Sequence, residues 1–133
     1  MRYDRSAMPP RPPGTFTQSV VDGDIIETIV HGRVDDTLVT DSGRRALELM
    51  KTQPARYYVI DARDAATYDA TTVKAAREIA QVLFNAGIRE IIAITDSGMM
   101  RMMGATIAFA LSDPISFVST RDEALAHVRS RRR

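Results

Sequence analysis

The sequence contains no cysteine and no tryptophan, only two histidines, and only two lysines (Lys51 and Lys74) among its 18 basic residues. Without cysteine there is no disulfide framework and no thiolate metal site. His31 and His127 stand far apart with no paired histidine beside either, so neither a metal cluster nor a nucleophilic triad is expected, and no cofactor is implied. No apolar run approaches the roughly 20 residues that a membrane-spanning helix needs. Residues Met1 to Gly14 carry charges and prolines but no apolar stretch, which is not the composition of a secretory leader, so the expected location is cytoplasmic. The net charge of +1 gives no argument for a nucleic-acid partner. The arginine-rich end from Arg129 to Arg133 reads as a solvated helix terminus, where cations suit the negative end of the helix dipole.

What is present is enough for one domain. The chain has 133 residues, 44% hydrophobic and 26% charged, ordinary values for a globular protein with a single core. Residues 1–14 contain Pro9, Pro10, Pro12 and Pro13 and read as an extended arm, because proline cannot donate a backbone hydrogen bond. The domain proper runs over 15–133. Phe16 to Val21 and Ile25 to Val34 predict a hairpin turning at Asp22-Gly23-Asp24. Asp35 to Thr52 carries a helical apolar face, with Gly43 weakening its middle by about 1 kcal/mol relative to alanine and allowing two shorter pieces. Tyr57 to Asp61 is a short apolar strand, covered on both faces, followed by a loop. Ala70 to Asn85 repeats apolar residues near a 3.6 period. Ile88 to Thr95 predicts the next strand, Asp96 or Ser97 caps a helix reaching Leu111, and Ile115 to Val118 is a last strand. Thr120 with Glu123 three residues on is a capping box for a final helix. The order β-β-α-β-α-β-α-β-α argues for an α/β domain: an N-terminal β-hairpin, then alternating helices and strands in a mixed, mainly parallel sheet with packed helices.

Val59-Ile60-Asp61, then Tyr68-Asp69-Ala70-Thr71-Thr72-Val73, and finally Phe117-Val118-Ser119-Thr120-Arg121-Asp122-Glu123-Ala124-Leu125, resemble the STAS domain of bacterial anti-sigma-factor antagonists over about Thr15 to Val128. The resemblance implies a non-catalytic signalling module that docks onto a protein partner, an anti-sigma factor or kinase. In signalling relatives a serine or threonine at the start of the helix after the Asp-ended strand is phosphorylated, which abolishes partner binding. Here Ala70 occupies the first hydroxyl position and Thr72 the glycine position, so the expected partner-binding and regulatory residues are Tyr68, Asp69, Thr71 and Thr72. Asp69 also has a plain reading as a helix N-cap.

A second informative stretch is Met99-Met100-Arg101-Met102-Met103, running on through Phe109. On a helix its apolar arc is wider than packing against one sheet requires, and methionine suits surfaces that adapt to varied partners. Met99, Met102, Met103 and Phe109 therefore form either an interface or apolar groove, or part of the core. A small apolar ligand or lipid is the alternative function, as in the topologically similar CRAL-TRIO carriers; a homodimer or larger homo-oligomer is a third. Arg63, Arg101 and the arm are expected at the rim of the docking surface. Asp96-Ser97-Gly98 has the place of a small-anion site, and Asp35-Asp36 and Asp61/Asp64 are carboxylate pairs that lack a positioned nucleophile.

Overall fold

A computed structural model describes residues 13–68, 70–98, 101 and 115–132 of the chain. The hairpin forms as the Asp-Gly-Asp signal predicts: β1 (Thr15–Val21) pairs antiparallel with β2 (Ile25–Val34). Asp22 (φ 56°) and Gly23 (φ 82°) both take the left-handed backbone that a tight hairpin turn demands. Helix α1 (Asp36–Met50) follows, then β3 (Tyr57–Tyr68), α2 (Ala70–Asn85), β4 (Glu90–Ile94), β5 (Ile115–Val118) and α3 (Arg121–Arg131). The five strands lie in chain order, β1-β2-β3-β4-β5, and every pair after the first is parallel.

Strand alternation sends successive residues to opposite faces, and the core divides accordingly. Ile25, Tyr57, Val59, Ile92 and Ile94 pack against Ala124, Leu125 and Val128 of α3. Ile26, Tyr58 and Ile91 face the other way, onto Ala46 of α1 and Ala80 and Leu83 of α2. The sheet is thus a middle layer, with α1 and α2 on one side and α3 on the other.

Two features differ from the sequence reading. Helix α1 is continuous through Gly43, because glycine is needed there for close packing. A Cβ at that position would meet Cγ2 of Ile79 on α2 at 2.5 Å. Strand β3 does not end at Asp61 but runs on to Tyr68. β2 is ten residues long and supplies backbone partners as far as Val34↔Tyr68, the register shifting between Ile29 and His31 and between Gly32 and Arg33. The expected loop is therefore mostly strand, and α2 begins two residues beyond its end. Of the expected Met-rich helix only Gly98 and Arg101 are described, and the Arg101 N–H donates to the Ser97 carbonyl at 3.1 Å. Met99, Met102, Met103 and Phe109 lie outside the described residues, as does Asp69.

Two helix caps are formed, of which the sequence reading named the second, at α3. The Asp35 Oδ1 accepts from the Leu38 N–H at 2.8 Å and starts α1. At α3, the Glu123 N–H donates to Thr120 Oγ1 at 3.1 Å, while the Glu123 carboxylate accepts from the Ser119 N–H at 3.2 Å. The far end of α3 is tied to the hairpin turn: Arg129 reaches Asp22 at 3.3 Å and Arg132 pairs with Asp24.

Candidate functional site

The parallel strands point their C-terminal ends toward the start of α2 and the start of α3. At this edge of an open sheet, helix N-termini and strand ends converge, and such edges commonly carry function. Asp61 sits where β3 passes the end of β4, level with Ile29 and Ile94. Its side chain is only 6% exposed. Burial pushes its carboxyl up, but hydrogen bonds from the Arg63 side chain and backbone, with the charges of Arg63 and His31, outweigh that and hold it below the usual range. The guanidinium binds it in a two-pronged fork, Nε to Oδ1 at 3.0 Å and Nη2 to Oδ2 at 2.7 Å, and the Arg63 N–H adds a 3.2 Å bond. One turn of strand further, His31 Nδ1 lies 3.2 Å from the Asp64 carboxylate, in the open.

The first turn of α2 separates its two threonines. Thr72 is 3% exposed, and its hydroxyl donates to the Val34 carbonyl at 3.2 Å, joining α2 to the end of β2. Thr71 is exposed to solvent. Consecutive helical residues point about 100° apart, so one threonine serves the core and its neighbour serves the surface. Tyr68 ends β3, level with Val34 of β2.

On the β4 side, Arg101 donates to the Thr95 carbonyl at 3.2 Å and to Ser119 Oγ at 2.9 Å, bridging the end of β4 to the start of α3. Thr95 Oγ1 accepts from the Ser97 N–H at 3.1 Å, so at Asp96-Ser97-Gly98 a backbone donor is turned inward on the chain. The structure brings Asp61, Arg63, His31 and Asp64 together near the strand ends. Asp35, next to Val34 at the end of β2, caps α1. Among the described residues there is no group of three or more His, Asp or Glu side chains that could hold a metal ion, and no helix long and apolar enough to cross a membrane.

Sequence reasoning missed two buried carboxylates on the α3 side of the sheet. Glu27 of β2 is 5% exposed and pairs with Arg121, Nε to Oε2 at 2.7 Å. Glu90 at the start of β4 accepts from Ser116 Oγ at 2.8 Å and lies 2.7 Å from His127 Nε2 and 3.5 Å from Arg131 Nε. A signal existed: each is a lone acid inside an apolar strand run, a position that burial makes costly without a partner.

No family model and no curated protein matches this sequence. Solved structures do match. An uncharacterised Shewanella loihica protein of the DUF3478 family, described as having a SpoIIAA-like fold, aligns with a TM-score of 0.62 at 9% identity, over 85% of this chain and 91% of that one. The anti-sigma factor antagonist SpoIIAA in its unphosphorylated form aligns at 0.61 and 16% identity, over 86% and 98%. An anti-sigma factor antagonist from Mycobacterium paratuberculosis aligns at 0.58 and 18% identity, over 88% and 95%. The order of elements, the mixed five-stranded sheet and these superpositions agree: the chain has the SpoIIAA-like fold that its resemblance to the STAS domain implied.

Proposed function

We propose that this protein is a non-catalytic docking module of the anti-sigma-factor-antagonist kind, contacting its protein partner through the ends of β2 and β3 and the first turn of α2. The observation that carries the reading is the division of labour between Thr71 and Thr72 on a fold shared with two anti-sigma factor antagonists. Thr72 is locked into the core, which fixes α2 against β2 and leaves Thr71 as the presented hydroxyl. A phosphate there adds about −1.5 to −2 charges at the contact surface, enough to repel a partner that had packed against a neutral residue. Thr71 is the residue we assign as the switch, with Tyr68 and Asp69 as its neighbours in the contact. Arg63 and Arg101, already held by Asp61 and by Thr95 and Ser119, form the rim.

The test is native and denaturing mass spectrometry on protein purified gently from its own source. A stoichiometric protein partner, lost when Thr71 is phosphorylated or changed to glutamate, is the expected result. A protein with no partner and a small apolar adduct would overturn the reading.

One observation favours that second reading. Between the described residues lies an apolar space of about 140 Å³, lined by Val30, Leu38, Tyr58, Ile79, Leu83 and Phe117 among others. An apolar space of that size accommodates a molecule on the order of benzene. The space is the single observation behind ligand binding, which is therefore the weaker function.

A further inference from the structure

A sheet that does not close has two edges, and here they differ. β5 is four residues long, and Pro114 immediately before it has no N–H to offer. β1 is seven residues long, Thr-Phe-Thr-Gln-Ser-Val-Val, with no charge and no proline. Its register against β2 runs without a bulge from Thr15↔His31 to Val21↔Ile25. Edge strands are normally protected by charges, prolines, bulges or shortness, and β1 has none of these protections. Among the described residues its outer backbone groups have no hydrogen-bond partner.

We infer that β1 pairs with β1 of a second copy of this chain, antiparallel across a two-fold axis at Gln18, extending the sheet to ten strands. The sequence of β1 is suited to meeting itself. In that register Thr15 opposes Val21, Phe16 opposes Val20, Thr17 opposes Ser19, and the two Gln18 residues face each other. All seven positions are paired, and cross-strand aromatic–β-branched and hydroxyl pairs are favourable ones. Residues of one parity stay on one face, so Phe16, Gln18 and Val20 remain on the α1 side, where Gln18 Nε2 already donates to the Ser42 carbonyl at 2.7 Å.

A second observation selects a copy of the same chain as the occupant. Helix α1 lies beside β1 and is electrically divided. Asp36 and Asp41 are exposed in its first half and Arg44 and Arg45 in its second, where Glu48 is already paired with Lys51; among the described residues none of the first four makes an ion pair. The same two-fold axis sets the two α1 helices antiparallel, so each acidic half faces its partner's basic half. Two identical edges related by a two-fold give an interface that closes at two copies.

Such an edge contact is small, and it belongs to the weak end of protein interfaces. The experiment is analytical ultracentrifugation of the full chain from about 10 to about 300 µM, the range where a weak, transient association shows. The wild type is expected to move from monomer to dimer across that range. Thr17→Lys with Ser19→Lys, both exposed positions, is expected to stay monomeric with an unchanged thermal melt. A wild type that remains monomeric throughout overturns the inference, and so does a double-lysine protein that still dimerises. If that variant melts early, the register is read instead from cysteines, which the chain otherwise lacks. A mixture of Thr17→Cys and Ser19→Cys proteins should form disulfide-linked dimers at least about tenfold faster than Thr17→Cys alone, since pairing brings opposed Cβ atoms within reach. Equal rates overturn the register and with it the inference.

Discussion

The face of the sheet covered by α3 buries a carboxylate near each end, and the two are held in different ways. At the lower end Glu90 is enclosed by donors from two elements, Ser116 on β5 and His127 and Arg131 on α3. At the upper end, among the described residues, Asp61 takes its side-chain hydrogen bonds from Arg63 alone, and the Arg63 side chain is 40% exposed. Glu27, between them, has the same arrangement with Arg121, which is 43% exposed. A carboxylate surrounded by several donors from different strands and helices ties those elements together. A carboxylate held by one solvent-reached guanidinium can exchange that partner for another with little structural change. The lower end is therefore a lock, and the upper end is the more easily rearranged, as the proposed docking requires.

The largest expected effect falls on the lock. Glu90→Ala leaves a serine hydroxyl, a histidine and an arginine without their shared acceptor where β4, β5 and α3 meet, and should cost about 2–4 kcal/mol in urea denaturation. Arg63→Ala exposes the comparison from the other side. Asp61 keeps its backbone bond and gains water, so the cost should be about 1–2 kcal/mol, the ion pair being discounted for its exposed guanidinium. If the two costs are equal, the distinction between lock and rearrangeable surface fails.

Acid sharpens the same contrast. The folded-state carboxyl of Asp61 lies below its ordinary value of 3.8. Its contribution is therefore fully present above that value and is lost as pH falls through the lowered folded value. The difference in melting temperature between wild type and Asp61→Asn should be constant near neutral pH and shrink below about pH 4, the ordinary carboxylate range. The smallest stability effect is expected at Thr71. Thr71→Glu adds a charge to an exposed first-turn position, where the helix dipole tolerates anions, and should shift stability by less than about 0.5 kcal/mol. Thr72→Ala, by contrast, removes the hydroxyl held by Val34 and should cost about 1 kcal/mol in the same denaturation experiment.

Much of the architecture could be read from local signals. The Asp22-Gly23-Asp24 turn and the Thr120/Glu123 box each act within a few residues, so composition and spacing expose them. The extension of β3 to Tyr68 could not be read that way, because Arg63-Asp64-Ala65-Ala66 has no strand character of its own. It is extended because β2 offers a backbone partner alongside. Gly43 looked like a helix weakness and is a contact point with Ile79, which only the packing of α2 reveals. The candidate site was half legible. Its position at a strand end and helix start followed from the order of elements, but which threonine faces outward depends on the phase of α2 against Val34. The Glu27–Arg121 pair joins residues 94 positions apart in the chain, a distance over which no local pattern speaks.

The most direct test of the docking account is the affinity of the co-purified partner for wild-type protein and for Thr71→Glu, measured beside the thermal melt of each. The account predicts a loss of at least about tenfold in affinity, about 1.4 kcal/mol, with the melts superimposable. Equal affinities for the two proteins would contradict it.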